Sequence, residues 1–188
     1  LCRVRGPHGW GLVRRLLGPP AAVAGPLPAF RPSPGHPRPA LLSLQAFLDA
    51  IALPSQLQAE YNGVVYEAEP VDPALVIDVD RQLLESAVMN LLGNGFKYTH
   101  AGGRVTLRAR AEGERALIDV EDGCGGIPET RGDPFQPFGD RRGKDRTGLG
   151  LGLSIAHELV RLMNGTIEVD SSGDGTTFTV TLPSANTN

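Results

Sequence analysis

The sequence has no uninterrupted apolar run of about 18 residues, so no stretch of it can cross a bilayer as a helix. Cys2 and Cys124 are its only cysteines, too few and too far apart for a disulfide framework or a cysteine metal site. No Asp or Glu precedes Asp49, whereas Arg3, Arg5, Arg14, Arg15, Arg31 and Arg38 do. The net charge of −3 therefore hides a clearly acidic remainder, which argues against non-specific nucleic-acid binding by the globular part. There is no G-x-x-x-x-G-K-[ST], hence no P-loop lysine. The spacing Gly148-x-Gly150-x-Gly152 is not the dinucleotide G-x-G-x-x-G either, and the charged run 140–146 precedes it where a buried strand would be needed.

What is present centres on those glycines. In 146–156, three glycines at alternate positions remove side chains from a turn and let backbone approach a ligand closely. Residues 153–163 follow as a helix, with positions 155, 156, 159, 160, 162 and 163 at apolar spacing. A glycine loop feeding a helix N-terminus gathers free N–H groups and the positive end of the helix dipole, which suits a phosphate. Hydrophobic content of 40% supports a packed core, and 21% charged residues fit a soluble chain.

Residues 1 to about 40 hold nine of the 16 prolines and no sustained periodicity. Their Arg-rich, acid-free character resembles a transit peptide. Low hydrophobicity that cannot offset the entropy of ordering favours a disordered or non-native leader over 1–42. The start at Leu1 instead of Met points to a truncated reading frame. Order is expected from Ser43. Leu44, Phe47, Leu48 and Ile51 form one helical face that Pro54 should end or kink and that Leu57 and Tyr61 continue to the Asn62-Gly63 turn. Strands are expected over 64–68 and 75–79, separated by Pro70 and Pro73. Asp80 N-caps a long helix with the stripe Leu83, Leu84, Ala87, Val88, Leu91 and Leu92. Asn90, Asn94 and Lys97 recur on another face of it. Asparagine is a poor helix former, so two of them one turn apart suggest amide oxygens lining a metal–phosphate site with Lys97 nearby.

After a turn at 101–103, residues 104–110 alternate strictly and pair with 116–120 as a hairpin. Asp122 ends that strand before a glycine-rich turn and could accept from an exocyclic amine such as adenine N6. The irregular segment 129–147, with Phe135 and Phe138 as apolar anchors, reads as a functional lid. Strands over 166–169 and 177–182, joined by 172–175, close the chain.

Taken together these pieces resemble the ATP-binding catalytic domain of two-component sensor histidine kinases, in the gyrase/Hsp90/histidine kinase/MutL superfamily. Residues 90–99 look like its N box, 122–127 like its first glycine box, and 135–138 like its F box. Residues 146–154 look like the second glycine box and 173–178 like the last. The resemblance covers roughly residues 64–183. It implies an α+β fold of the Bergerat type, a two-layer α/β sandwich with helices on one face of a mixed sheet, spanning 63–184. A helical remnant of a dimerisation helix would occupy 43–62, and a short tail 185–188.

The resemblance also implies ATP and Mg²⁺ as ligands. Asn94 would hold the metal, with Asn90 beside it. Lys97 would contact phosphate, and Arg141, Arg142 or Lys144 would reach the γ-phosphate. Tyr98 would border adenine, Asp122 would read its N6, and Thr177 would assist through water. Gly126 of the first glycine box, with Gly148, Gly150 and Gly152, would let backbone meet the nucleotide. The partners implied are a histidine-containing dimerisation domain and a response regulator receiver domain, with a homodimer only where dimerisation helices are present. No nucleic acid is implied. The implied location is cytoplasmic, free or as the cytoplasmic part of a membrane-anchored sensor.

Cys124 stands where the family usually has glycine, and Gly95 where alanine usually follows the metal asparagine. No histidine box of the form H-[DE]-L-R-x-P is present. His157-Glu158-Leu159 mimics its start but lies in the helix after the glycine loop. Gyrase-type hydrolases carry a glutamate where this chain has Asn90. Anti-sigma-factor-like serine kinases carry an acid at the same N-box position. A nucleotide-binding module without transfer activity is the remaining alternative.

Overall fold

The computed structural model describes residues 37–126, 135 and 151–185. All of them belong to the compact unit Gly35–Asn188. Residues 1–36 of the expected leader, and most of the expected lid, lie outside the described residues.

The chain starts its regular structure earlier than Ser43. Strand β1 (Ala40–Ser43) pairs antiparallel with β3 (Val76–Val79), Leu42 opposite Ile77. A four-residue edge strand is too short to show a period of two, which is why nothing in the pattern announced it. Helix α1 (Leu44–Asn62) follows at once, its N-terminus capped by the Ser43 hydroxyl, which accepts from the Ala46 N–H at 3.4 Å. Gly63 closes it in the left-handed conformation, φ 70°, where glycine is favoured.

Pro54 neither ends this helix nor marks its last turn. The buried face runs Leu44, Phe47, Leu48 and Ile51, then Ser55 and Ala59, so contacts on both sides of the proline hold one continuous helix. Pro54 and Ala50 both face solvent, and the carbonyl deprived of its i+4 partner can be hydrated there. Leu57 and Tyr61, expected to extend the apolar stripe, are instead exposed. The apolar face of α1 belongs to the same core as Leu84, Leu91 and Ile118.

The main sheet has the order β2-β4-β5-β7-β6: β2 (Val65–Ala68), β4 (Arg104–Glu112), β5 (Arg115–Asp122), β7 (Thr176–Pro183) and β6 (Thr166–Ser171). Only β2 and β4 run parallel, so the sheet is mixed. Helices α1, α2 (Arg81–Tyr98) and α3 (Gly152–Leu162) cover one face. Val105, Leu107, Ile118, Val120, Phe178 and Val180 point into that layer and are buried. At about 1.5–3 kcal/mol per buried large apolar side chain, this layer is the dominant favourable contribution to the fold.

The other face is polar. Arg108 bonds Glu69 at 2.6 Å and also Glu121, while Arg110 bonds Asp119, which accepts from the Thr179 hydroxyl at 2.8 Å. The tail residues Ser184 and Ala185 bond Glu114 and Val76, tying β7's exit to the small β1–β3 sheet. Among the described residues no helix is long and apolar enough to cross a membrane.

Candidate functional site

Helix α2 supplies one wall. Asp80 caps it by accepting from the Gln82 and Leu83 N–H groups at 2.9 and 3.3 Å, and also from the Arg38 N–H at 2.8 Å. The Arg38 bond is the main reason its carboxyl lies below the usual Asp range. The stripe Leu84, Ala87, Val88, Leu91 and Leu92 is buried, with Leu83 partly so. That register rolls Asn90 and Asn94 towards α3.

The two amides meet the glycine that opens α3. A β-carbon at Gly152 would stand 3.2 Å from Asn94 Nδ2 and 3.4 Å from Asn90 Oδ1. Asn90 is oriented by donating from Nδ2 to the Ser86 carbonyl at 2.7 Å, which leaves its oxygen facing the α3 N-terminus. Asn94 Nδ2 is buried without a hydrogen-bond partner among the described residues. A buried amide left unpaired costs about 1–3 kcal/mol, so a ligand here would relieve a standing deficit. Because the two ends of an amide interchange by a flip, this position suits a hard cation or a phosphate–metal pair. Lys97 and Tyr98 are exposed at the end of α2, with Lys97 Nζ 5.0 Å from the Tyr98 ring centre.

Asp122 supplies the other wall. It is 6% exposed, on the helix side of β5, in line with Val120 and Ile118. One carboxylate oxygen accepts from the Cys124 N–H at 3.0 Å. Helix and strand converge at Gly95, where a β-carbon would stand 3.2 Å from Val105 Cγ1 and 3.4 Å from Asp122 Cβ. The glycine that costs the helix roughly 0.5–1 kcal/mol relative to alanine thus sits where α2 packs against Asp122. Beneath the acid, a β-carbon at Gly175 would fall 2.0 Å from the Asp122 carbonyl oxygen. Gly126 holds φ 82°, and its β-carbon would fall 2.0 Å from the Ser172 carbonyl oxygen. Only glycine fits either place.

Thr177 is not where the sequence reading needs it. In the β5–β7 register Asp122 faces Thr176, while Thr177 faces Glu121 on the polar side of the sheet. Thr176, 2% exposed, is the threonine on the acid's side, with its hydroxyl 3.3 Å from Cys124 Sγ and 3.2 Å from Ser171 Oγ. Strand parity counted back from Phe178 could have found it, since Phe178 and Thr176 share a face. A cleft of about 270 Å³ opens at this end of the sheet and includes Asp122, Gly123, Gly175 and Thr176. It also takes in Arg104, Glu121 and Thr177 from the polar face, and it reaches the acid but neither asparagine.

Arg141, Arg142, Lys144, Gly148, Gly150 and Phe138 lie outside the described residues. Phe135 is described, stacked on His157 with ring centres 5.3 Å apart and edge-on to Phe178 at 6.4 Å. Helix α3 buries Leu153, Ala156 and Val160, with Met163 beyond, whereas Ile155 and Leu162 are exposed. The expected stripe thus holds at 156, 159, 160 and 163 and fails at 155 and 162. Its N-terminus has no side-chain cap, although the Ser154 hydroxyl donates to the Leu151 carbonyl at 2.9 Å.

The structure thus brings two amides to the N-terminus of α3 and a buried acid to the end of β5, with Gly95 where α2 meets β5. The chain belongs to the histidine kinase-, DNA gyrase B- and HSP90-like ATPase family, whose model matches residues 79–186. It carries the ATP-binding catalytic domain found in sensor histidine kinases. Over 128 residues it is 37% identical to the alginate biosynthesis sensor protein KinB of Pseudomonas aeruginosa, covering 67% of this chain and 21% of KinB. Full-length ShkA, solved in complex with AMPPNP, is 29% identical, with a TM-score of 0.67 over 79% of this chain and 32% of ShkA. The mycobacterial sensor histidine kinase MprB is 25% identical, with a TM-score of 0.65 over 78% of this chain and 98% of the solved MprB chain. The chain spans between 11% and 25% of the length of curated relatives it matches.

Proposed function

We propose that this chain binds Mg-ATP and presents the γ-phosphoryl group to a histidine carried on a dimerisation domain. The observation that carries the reading is the convergence of Asn90 and Asn94 on Gly152, with Asn94 Nδ2 buried and without a hydrogen-bond partner among the described residues. Asn94 is the proposed metal ligand. Among the described residues no group of three or more His, Cys, Asp or Glu is placed to hold a metal. A magnesium ion here would accordingly draw most of its ligands from phosphate oxygens and water. Asp122 accepts from the exocyclic amine of the base, and Thr176, not Thr177, is its neighbour on the same face.

Phosphoryl transfer is dominated by positioning and charge neutralisation, so the domain needs no nucleophile of its own. When bound, magnesium neutralises phosphate charge. The chain's own part is to orient the phosphates at the α3 N-terminus, to hold the base at Asp122, and to add Lys97 as a nearby cation. Asn90 has no ionisable group and donates to Ser86, so it cannot take a proton from water, which disfavours a gyrase-type hydrolase. His157 stacks on Phe135 within α3, a packing role that supports reading its His-Glu-Leu context as coincidental. Partners would be the histidine-bearing domain and a response regulator receiver domain, in the cytoplasm.

Radiolabelled ATP should leave this chain unlabelled and deposit acid-labile label on a supplied dimerisation domain. Label on a partner serine would favour the anti-sigma-type reading instead. Acid-labile label on the chain itself, abolished by His157→Ala, would overturn the assignment.

A further inference from the structure

The mechanism above uses Asp122 but leaves unexplained why the residue two positions on is a cysteine. Cys124 touches the acid's surroundings in more than one way. Its N–H donates to Asp122 Oδ1 at 3.0 Å, and its Sγ lies 3.3 Å from Thr176 Oγ1. Thr176 Oγ1 lies in turn 3.2 Å from Ser171 Oγ on β6. Asp122 and Thr176 are themselves register partners across β5 and β7. One side chain thus joins the acid's turn to the two strands beside it.

An ionised carboxylate only accepts, so the Cys124 N–H fixes one Asp122 oxygen. In the contact between Cys124 Sγ and Thr176 Oγ1 either atom can donate, and that contact ties the turn carrying the N–H to β7. Burial first, and then the neighbouring Asp122 carboxylate, raise the Cys124 thiol above its ordinary value, so it stays protonated.

We propose that Cys124 is a positioning residue for base recognition: its thiol, anchored on Thr176, fixes the turn whose N–H holds the Asp122 carboxylate in the orientation that selects a 6-amino purine over a 6-oxo purine. This rests on the reading of Asp122 as the acceptor for the base. A fixed carboxylate rewards an N–H₂ group and repels a carbonyl oxygen. A carboxylate free to rotate does both less well.

The test compares ATP and ITP, in the presence of magnesium, by calorimetric titration of the full chain. Cys124→Ala should lower ATP affinity about three- to tenfold, the worth of one hydrogen bond, while affinity for ITP stays level or rises. The ATP-to-ITP ratio should therefore fall, a change that simple loosening of the fold would not produce. Cys124→Ser, whose hydroxyl can also bond Thr176, should restore the ratio. Thr176→Val should lower it in part. An unchanged ratio in Cys124→Ala, with ATP binding still dependent on Asp122, would overturn this inference alone. If Asp122→Ala leaves ATP affinity unchanged, the reading of the base site falls and this inference falls with it.

Discussion

Replacing Gly152 by alanine sets stability against binding. Gly152 is the first residue of α3 and is not among the glycines with positive φ, so alanine can adopt its backbone conformation. Restricting the unfolded chain there should stabilise the domain by about 0.4–1 kcal/mol. For a domain of this size that raises Tm by roughly 1–4 °C. The new β-carbon, however, would stand 3.2 Å from Asn94 Nδ2 and 3.4 Å from Asn90 Oδ1, closer than van der Waals contact allows without a shift. The amides must yield by a few tenths of an ångström, and they are the groups assigned to metal and phosphate. A contact to a charged group is worth about 1.5–3 kcal/mol. Losing half of it lowers affinity roughly four- to twelvefold. Thermal unfolding and calorimetric titration of Mg-ATP on the same sample should therefore move in opposite directions. A raised Tm with unchanged nucleotide affinity would show that the amides do not face the phosphates.

Two further substitutions probe the frame around the site. Gly175→Ala should destabilise the fold by at least about 1–3 kcal/mol in urea unfolding, since its β-carbon would meet the Asp122 carbonyl oxygen at 2.0 Å and backbone must move. Asp80→Ala should cost about 0.5–2 kcal/mol at neutral pH by uncapping α2. The folded-state pKa of Asp80 is lowered, chiefly by the Arg38 N–H, so its contribution is complete above the ordinary Asp value and lost as pH falls through the lower folded value. The difference between wild type and variant should shrink in acid, and a constant difference down to the lowest pH at which the fold survives would contradict the capping role.

Much of this architecture could be read from residue order because local pattern and burial agree. The α2 stripe from Leu84 to Leu92, the Asp80 cap and the β4–β5 hairpin are each dictated by one period and one turn. Asn90 and Asn94 stood out because asparagine sits poorly in a helix, and the structure does bring both to Gly152. What escaped depends on tertiary choices. Pro54 looked like a stop, yet burial on both sides of it keeps α1 whole. Ile155 and Leu162 look as apolar as Ala156 and Val160, and only packing against α2 decides which face is inside. Thr176 escaped notice because adjacent threonines carry no sign of which face they take until the register with Asp122 is known. In residue order Cys124 shows only as a departure from the glycine usual at that position. Its contact with Thr176 spans 52 residues of sequence, beyond the reach of any local pattern.

The most direct test of the account is to titrate ATP into wild type, Asp122→Ala and Asn94→Ala, each with and without magnesium. Asp122→Ala removes a charge-assisted hydrogen bond to the base, so affinity should fall roughly tenfold to a hundredfold in both conditions. Asn94→Ala removes a metal ligand, so its penalty should be large with magnesium and small without it. Equal losses for the two variants irrespective of magnesium, or no measurable ATP binding by the wild type, would contradict the claim that one nucleotide spans the acid at β5 and the amides of α2.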